Sequence, residues 1–192
     1  MTKTRKPTPK RYVLLNGSPR RKGNTAHAIA AVQKQAAQAG IRIKTFNLWD
    51  MDFVGCTHCD SCMKKPDKPG CKPKDDLNKV LKNVHKADGV LLASPVYCWS
   101  VSGSLSTALD RFYCFFKPEG SLLQGKKLAA IFTAGGDADD GADLCVSMTE
   151  RLGKFGGMDY RGSMVVTSCG KPKETAKRED LSTLAADLVK NL

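Results

Sequence analysis

The sequence lacks any apolar run near the roughly 20 residues that a membrane-spanning helix needs. It also shows no secretory signal peptide, because the first eleven residues are polar and basic and contain no apolar core. These two absences predict a cytoplasmic protein without a membrane partner. No internal repeat is visible either. A chain of 192 residues suits one domain, which can bury a sizeable core without disulfide or metal cross-links.

The basic character of the chain is concentrated at its start. Pro7 and Pro9 discourage regular structure there, so we predict a disordered basic arm over residues 1–10 and a single domain over residues 11–192. The formal net charge of the chain is +12. No nucleic-acid-binding motif accompanies this charge, so we expect it to attract acidic partners or anionic cofactors rather than nucleic acid.

Apolar runs alternate with helical patterns along the chain. Leu77, Val80, Leu81 and Val84 share one helix face, and Gly40 is placed to end the first helix in a left-handed cap. The alternation predicts an α/β fold, a flavodoxin-like doubly wound five-stranded parallel sheet in the order 2-1-3-4-5. The strand candidates are Tyr12–Asn16, Ile41–Leu48, Gly89–Ala93, Lys127–Thr133 and Tyr160–Thr167.

A polar loop, residues 17–25, separates the first strand candidate from the first helix. Backbone N–H groups and the helix dipole bind anions at such a helix start. The loop reads Gly23-Asn24-Thr25 where the Walker loop needs Gly-Lys-Ser/Thr, and it lacks two of the three glycines of the dinucleotide fingerprint. We therefore predict a site for a terminal phosphomonoester such as that of flavin mononucleotide (FMN), with Ser18, Asn24 and Thr25 at the phosphate and Arg20 nearby.

Three stretches together resemble the flavodoxin-like NADPH-dependent FMN reductases. The first is the loop just described, from Asn16 to Thr25, with Gly23 inside it. The second, Ser94 to Ser100, is similar to the flavin-ring loop of that family, and the third, Thr133 to Asp137, to its third flavin loop. The resemblance implies flavin-ring contacts from Pro95, Val96, Tyr97, Cys98, Trp99, Ser100, Gly135, Gly136 and Asp137. We expect Asp110 and Arg111 to form a structural ion pair or a subunit contact rather than to act in catalysis.

Half of the eight cysteines lie in one long loop, residues 49–74, called here the cysteine loop. Its compact run Cys56, Cys59 and Cys62, followed by Cys71, suits a [4Fe-4S] cluster, because closely spaced thiolates can wrap one side of a cubane while a fourth closes it. The pattern resembles the iron–sulfur flavoprotein branch of the same family, although the gap before Cys71 is longer than usual there. Zinc, free or redox-active thiols, and His58 as a substitute fourth ligand are the alternatives.

The predicted function is that of an FMN-dependent oxidoreductase. With a cluster, the chain would pass electrons between a one-electron carrier such as ferredoxin and a two-electron acceptor. Two alternatives remain: an NAD(P)H-dependent FMN or quinone reductase whose cysteines bind zinc or no metal, and a redox-sensing or nucleic-acid-binding protein that uses the basic arm. No side chain is predicted to be a catalytic acid, base or nucleophile. The resemblance implies a homodimer or homotetramer.

Overall fold

The computed structural model describes residues 9–192, so most of the predicted basic arm, residues 1–10, lies outside the described part of the chain. Pro9 and Lys10 are described and exposed, and the Lys10 ammonium donates to the main-chain oxygen of Leu192 at 2.8 Å. The disorder expected for the rest of the arm stays a prediction. No helix among the described residues is long and apolar enough to cross a membrane.

Strands and helices alternate through most of the chain. The strands are β1 (Arg11–Asn16), β2 (Arg42–Asn47), β3 (Gly89–Tyr97), β4 (Ser100–Val101), β5 (Phe116–Lys117), β6 (Gly120–Ser121), β7 (Lys127–Thr133) and β8 (Asp159–Val166). The helices are α1 (Asn24–Gln38), α2 (Leu77–Lys86), α3 (Gly103–Asp110), α4 (Asp143–Gly156) and α5 (Leu181–Lys190). Short 3-10 turns follow β2, α3 and β8, at Leu48–Asp50, Arg111–Phe115 and Thr175–Lys177.

Five parallel strands form the main sheet in the spatial order β2-β1-β3-β7-β8. Leu14 of β1 lies opposite Thr45 of β2 on one side and Leu91 of β3 on the other. The short strand β4 pairs antiparallel with the end of β3, and β5 and β6 form a separate hairpin. Counted along the chain, the parallel strands have the order 2-1-3-4-5, which confirms the predicted sheet.

Helices cover both faces of the sheet. Leu15 and Leu92 belong to the core on the side of α2 and α3. Their chain neighbours Leu14 and Leu91 belong to the core on the side of α1 and α5, since successive strand residues point to opposite faces. All four side chains are fully buried, and this two-sided burial explains why the central strands read as unbroken apolar runs.

The predicted end of the first helix is confirmed in detail. Gly40 has φ +71 and its N–H donates to the carbonyl of Ala37, while the N–H of Ile41 donates to the carbonyl of Ala36. This pair of bonds is the Schellman arrangement, in which a left-handed glycine lets the chain turn back over the last helical turn. The turn places Ile41 directly before β2. The predicted α2 face is confirmed too, because Leu77, Val80, Leu81 and Val84 are all buried.

The predicted flavin-ring loop proves to be a tight hairpin. β3 runs four residues further than the sequence indicated, and Tyr97 pairs with Ser100 of β4. The two residues between them, Cys98 and Trp99, have φ +47 and +58. A two-residue turn with both φ values positive matches the right-handed twist of the strands it joins, and side chains other than Gly, Asn or Asp rarely adopt it. The sequence carries no Gly or Asn there that would have signalled the turn.

Candidate functional site

Three loops meet at the carboxyl-terminal edge of the sheet and line two adjoining cavities. The loops follow β1, β3 and β7, which are neighbours in the sheet. One cavity, of about 220 Å³, lies against the start of α1. The other, of about 300 Å³, lies between the β3–β4 hairpin and the loop after β7. Val96 and Gly135 line both cavities, so the two adjoin each other and are together called the cleft. Ligands of open parallel sheets bind in such a place.

Backbone hydrogen bonds shape the loop that leads into α1. The N–H of Ser18 donates to Oδ1 of Asn16 at 3.0 Å, and the N–H of Arg20 donates to Oγ of Ser18 at 3.3 Å. The N–H of Gly23 donates to the carbonyl of Arg20 at 3.1 Å, and α1 begins at the next residue. The first N–H groups of α1 have no carbonyl partner within the helix, and Gly23, Asn24 and Thr25 line the 220 Å³ cavity. This is a local electropositive surface suited to a phosphate group.

Gly17 brings this loop close to α3. A Cβ atom at Gly17 would lie 2.3 Å from Oγ of Ser102 and 2.8 Å from Cβ of Leu105. The N–H of Gly17 donates to the carbonyl of Ala93 at 2.8 Å, and its carbonyl accepts from Oγ of Ser104 at 3.2 Å. A larger residue could not keep these contacts, so Gly17 fixes the distance between the loop after β1 and the loop after β3.

The side chain of Asn24 is fully engaged with the segment after β8. Its amide nitrogen donates to the carbonyls of Cys169 at 3.1 Å and Lys171 at 2.9 Å. Its amide oxygen accepts from the N–H of Thr175 at 3.1 Å. Both amide protons and one oxygen lone pair are thus used inside the protein. The predicted contact between this side chain and a phosphate would require one of these bonds to open.

Thr25 and Ser18 face the same cavity from buried positions. Oγ1 of Thr25 lies 2.7 Å from Oγ1 of Thr133, and Thr25 is only 2% exposed. Ser18 is 7% exposed, and its hydroxyl oxygen accepts from Arg20. Each hydroxyl has both donor and acceptor capacity, so each retains a position for an additional hydrogen bond. These two hydroxyls, rather than Asn24, are the side chains free to contact a bound anion.

The hairpin side of the cleft is held by one long-range hydrogen bond. Nε1 of Trp99 donates to Oδ1 of Asp140 at 2.9 Å. Asp140 lies in an irregular turn before α4, next to Gly141, which has φ +92. A Cβ atom at Gly141 would lie 2.8 Å from Cα of Trp99, so only glycine permits this approach. Trp99 remains 63% exposed and Tyr97 42% exposed, which leaves both aromatic rings accessible beside the cleft.

The cysteine loop contains no regular helix or strand after Asp50, and side chains from the segment after α3 hold it in place. Arg111 donates to the carbonyl of Val54 at 2.9 Å, and Lys117 donates to the carbonyl of Cys62 at 2.8 Å. The hydroxyl of Tyr113 donates to Oδ1 of Asp60 at 3.0 Å. Three residues of one short segment therefore tie down a loop about 50 residues earlier in the sequence.

The four cysteines of this loop differ in exposure and environment. Cys62 is 6% exposed, and burial raises the pKa of its thiol against the opposing effect of Lys117. Cys56 and Cys71 are half-buried and close enough to act electrostatically on Cys62. Cys59 is exposed, and a hydrogen bond from the backbone N–H of Ser61 lowers its pKa. Three of the sulfurs thus share one neighbourhood, and the fourth lies at its surface.

These cysteines do not yet form a closed ligand set. Among the residues that the structure describes, no group of three or more His, Cys, Asp and Glu side chains is arranged to hold a metal ion. The chemistry of the donors nevertheless fits an iron–sulfur cluster, because thiolates are its usual ligands and buried cations adjoin them. The alternative ligand His58 has φ +52 and packs on the Tyr113 ring with centroids 4.9 Å apart.

Comparison with known proteins agrees with this architecture. Residues 11–170 match the family described as NADPH-dependent FMN reductase. The chain belongs to that family. An iron–sulfur flavoprotein of Methanocaldococcus jannaschii is 34% identical over 132 residues, which are 69% of this chain and 65% of the relative. An iron–sulfur flavoprotein of Methanosarcina thermophila is 26% identical over 69% of this chain and 66% of its own length. The matched part therefore spans about two thirds of these relatives.

Solved structures show the same fold at low sequence identity. The NAD(P)H:quinone oxidoreductase from Methanothermobacter marburgensis superposes with a TM-score of 0.74 at 18% identity, over 95% of this chain and 98% of that chain. An FMN-dependent NADH-azoreductase from Bacillus anthracis, solved in complex with FMN, superposes with a TM-score of 0.66 at 15% identity, over 94% and 97%. The flavodoxin-like fold predicted from the sequence is thereby confirmed.

In this FMN reductase family member, most of the predicted cofactor residues line the cleft. Ser100 and Asp137 line neither of its two cavities, within the part of the chain that the structure describes. Asp140, which was not predicted, lines the 300 Å³ cavity. The predicted residues on the walls are Ser18, Arg20, Gly23, Asn24, Thr25, Pro95, Val96, Tyr97, Cys98, Trp99, Gly135 and Gly136.

Sequence reasoning missed a fourth contributor to the cleft, the segment that follows β8. Cys169 and Gly170 line the smaller cavity beside Thr133. Burial raises the pKa of the Cys169 thiol, and its sulfur lies 3.2 Å from Oγ1 of Thr175. This contribution could have been predicted from the sequence, because β8 runs parallel to β7 and its carboxyl end therefore lies at the same edge of the sheet as the cleft. The predicted role of Arg111 needs a correction as well: its ion-pair partner is Asp75 of the loop before α2, not the adjacent Asp110.

Proposed function

We propose that this protein is an FMN-dependent oxidoreductase that also carries a [4Fe-4S] cluster. It would pass electrons between a one-electron carrier such as ferredoxin and a two-electron acceptor. The observation that carries the proposal is the cleft at the sheet edge, with a helix N-terminus at one end and an exposed aromatic hairpin at the other. Family membership and the names of the iron–sulfur flavoprotein relatives support both cofactors.

Each part of the cleft has a definite task in this proposal. The first N–H groups of α1, with the hydroxyls of Ser18 and Thr25, hold the phosphate of FMN. The Gly135-Gly136 backbone lets the chain approach the flavin ring closely, because neither residue has a side chain to collide with it. Tyr97 and Trp99 flank the ring and limit access of water to it. Cys56, Cys59, Cys62 and Cys71 hold the cluster.

The bound groups supply the redox chemistry: FMN exchanges one or two electrons, and the cluster exchanges one at a time. The residues of the cleft position the reactive ring and set its electrostatic surroundings. No side chain of the cleft is required to act as a nucleophile. We further propose assembly as a homodimer or homotetramer, which the exposed apolar side chains Leu144 and Phe155 on α4 support. In that arrangement the cluster of one subunit can lie beside the FMN of another.

One observation favours a second candidate, an NAD(P)H-dependent FMN or quinone reductase whose cysteines bind zinc or no metal. The four loop cysteines are not converged in the described structure. Analysis of anaerobically purified protein for FMN, iron, acid-labile sulfide and zinc separates the two functions. Iron and sulfide together with FMN support the proposed function. FMN with zinc or without metal supports the second candidate, and protein that binds no FMN contradicts both.

Single substitutions refine this test. We expect Cys56→Ala, Cys59→Ala, Cys62→Ala and Cys71→Ala each to lose iron while retaining FMN, since a cubane that lacks one thiolate is labile. Cys145→Ala is the matched control for Cys62→Ala, because both thiols are buried but Cys145 lies on α4. Reduction of FMN by reduced ferredoxin should be slower in Cys59→Ala than in the wild type at equal FMN content. Equal rates in stopped-flow measurements would show that the cluster is not on the electron path.

A further inference from the structure

Two cationic side chains are buried beneath the cysteine loop. Arg111 is fully buried and Lys117 is 8% exposed. Both belong to the short segment that follows α3, and both donate hydrogen bonds to main-chain carbonyls of the loop, at Val54 and Cys62. Lysine and arginine are almost never buried unless a group of opposite charge accompanies them. The groups that contact each cation therefore indicate whether its positive charge is already balanced within the protein.

The charge of Arg111 is balanced within the protein. Its Nη1 lies 2.7 Å from Oδ2 of Asp75, and its Nη2 lies 3.3 Å from Oδ1 of the same carboxylate. This two-point contact is the favoured geometry for a guanidinium and a carboxylate. Arg111 thus forms a buried ion pair with Asp75, which balances its charge, and it also interacts with the Cys71 thiol.

The charge of Lys117 is not balanced in this way. Its ammonium donates to the carbonyl of Cys62 at 2.8 Å. None of the ion pairs formed by residues 9–192 includes Lys117. A carbonyl satisfies one N–H donor but carries no net charge, so the cost of removing the ammonium from water remains. The protein keeps an uncompensated positive charge against the loop that holds the four cysteines.

The side chains around Lys117 indicate which anion belongs beside it. Its charge acts on Cys62 and Cys114, and on His85 of α2. Of these, Cys62 belongs to the cysteine loop, and Cys56 and Cys71 also act on it electrostatically. An iron–sulfur cluster bound by four thiolates has a net negative charge, and nearby positive charge stabilises its reduced form most.

We propose that Lys117 is a positioning residue for the cluster: its buried ammonium offsets the negative charge of an iron–sulfur cluster bound by the cysteine loop and raises the reduction potential of that cluster. The inference rests on the proposed function, since it requires the cluster to be present. It assigns a specific role to a residue outside the cysteine motif and outside the FMN cleft.

The test compares Lys117→Met, which removes the charge, with Lys117→Arg, which keeps it, in protein reconstituted with iron and sulfide under anaerobic conditions. We expect Lys117→Met to lower the cluster potential, measured by a redox titration followed by electron paramagnetic resonance, and to speed the loss of iron to a chelator. Lys117→Arg should stay near the wild type in both measurements. FMN content should be the same in all three proteins.

Thermal unfolding of the metal-free proteins separates charge compensation from ordinary packing. Without a cluster, the Lys117 charge has no counter-charge, so metal-free Lys117→Met should be at least as stable as the metal-free wild type. A metal-free Lys117→Met that is clearly less stable would show a structural role and overturn the proposal. An unchanged potential and rate of iron loss in the loaded variant would overturn it as well. A wild type that takes up no iron would instead overturn the proposed function on which the inference rests.

If Lys117→Met does not fold, Lys117→Gln replaces it, because the amide can still donate to the carbonyl of Cys62 while carrying no charge. The same result is expected for this variant: a lower potential and faster loss of iron than in Lys117→Arg. A Lys117→Gln protein with the potential of the wild type would show that the hydrogen bond, and not the charge, is what the cluster requires, and would overturn the proposal.

Discussion

Thr25 and Thr133 share a hydrogen bond of 2.7 Å between their hydroxyl oxygens, in a position where both residues are almost fully buried. The bond joins the first turn of α1 to the last residue of β7, which are 108 positions apart in the sequence. Because β7 leads directly into Gly135, the bond fixes the phosphate end of the cleft relative to the loop expected at the flavin ring. One proton is used between the two oxygens, and the other is available to an anion.

Replacing Thr25 by Val should therefore affect both stability and FMN binding. The variant keeps the shape of the side chain but leaves the buried hydroxyl of Thr133 without a partner, which costs about 1–3 kcal/mol of unfolding free energy. Thr25→Ser retains the hydroxyl, so its free energy of unfolding should fall clearly less than that of Thr25→Val. Urea denaturation of the FMN-free proteins measures the first effect, and titration with FMN measures the second. Equal stability of the Val and Ser variants would contradict the importance of this bond.

Asn24 leads to a prediction of a different kind, because its side chain is occupied by the segment after β8. Asn24→Asp keeps the acceptor for the N–H of Thr175 but places carboxylate oxygen against the carbonyls of Cys169 and Lys171. We expect this variant to bind FMN more weakly than Asn24→Ala, since it combines repulsion of these carbonyls with negative charge near the phosphate. Affinity for FMN at two salt concentrations provides the measurement.

Hydrogen exchange identifies the cause of any such loss. In both Asn24 variants, amides of residues 168–178 should exchange faster than in the wild type, while those of β1 should not change. If Asn24 instead acts only as a direct phosphate ligand, both variants should still bind FMN more weakly than the wild type. Exchange in the segment after β8 would then match the wild type.

The sheet and the convergence of its loops were predictable because they depend on local patterns. Short apolar runs that alternate with helical faces permit few topologies, and parallel strands bring their carboxyl ends to one edge. The paired contacts within the site depend instead on residues far apart in sequence. Nothing in the sequence around Asn24 distinguishes an amide that binds phosphate from one that binds the carbonyl of Cys169, since both uses need the same donor.

The cysteine loop likewise has features that can be predicted from local sequence and features that depend on the folded chain. The spacing of Cys56, Cys59 and Cys62 indicates a cluster without any knowledge of the fold, because ligand spacing is a local property. The cations beneath the loop could not be predicted, since no local pattern around Arg111 and Lys117 indicates that they lie against a loop far away in the sequence. Only the folded chain places them against the loop, and their burial makes their charge important.

Gly141 tests whether the Trp99 contact shapes the cleft. In Gly141→Ala, the alanine would have to adopt a left-handed backbone conformation with φ +92. Its Cβ atom would also lie 2.8 Å from Cα of Trp99, which is too close. Gly162 supplies a matched control, because its φ of +97 is similar and nothing lies within 4 Å of an added Cβ atom. Both Ala variants should lose about 1–3 kcal/mol of stability through backbone strain. Only Gly141→Ala should also weaken FMN binding, because it must displace the hairpin.

Tryptophan fluorescence and FMN titration together measure this difference. The emission of Trp99 should change in Gly141→Ala, since its hydrogen bond to Asp140 depends on the close approach. Trp49 lies outside the cleft, so its emission adds a constant background. Replacing Trp49 by Phe in each protein removes this background. If both glycine variants lowered FMN affinity equally, general destabilisation rather than the displaced hairpin would explain the effect.

Tyr12 makes the stability of the protein sensitive to alkaline pH. Its hydroxyl is buried and donates to the main-chain oxygen of Leu192 at 3.0 Å. Burial, and secondarily the negative charge of Asp88, raise the pKa of Tyr12 from 10.0 to about 12. The folded state thus holds this proton more tightly than the unfolded state does. The stabilisation is fully present below about pH 10 and is lost as the pH rises towards 12.

Tyr12→Phe isolates this contribution. The variant lacks the hydrogen bond and should be less stable than the wild type by roughly 1 kcal/mol near neutral pH. Its stability should then fall less steeply between about pH 9 and pH 11, because it has no buried phenol to ionise. Urea unfolding of both proteins across this pH range gives the comparison. Lysine side chains also titrate in this range, but they change the stability of the two proteins alike. Curves that remain parallel up to about pH 11 would show that Tyr12 ionises as readily in the folded protein as in the unfolded chain.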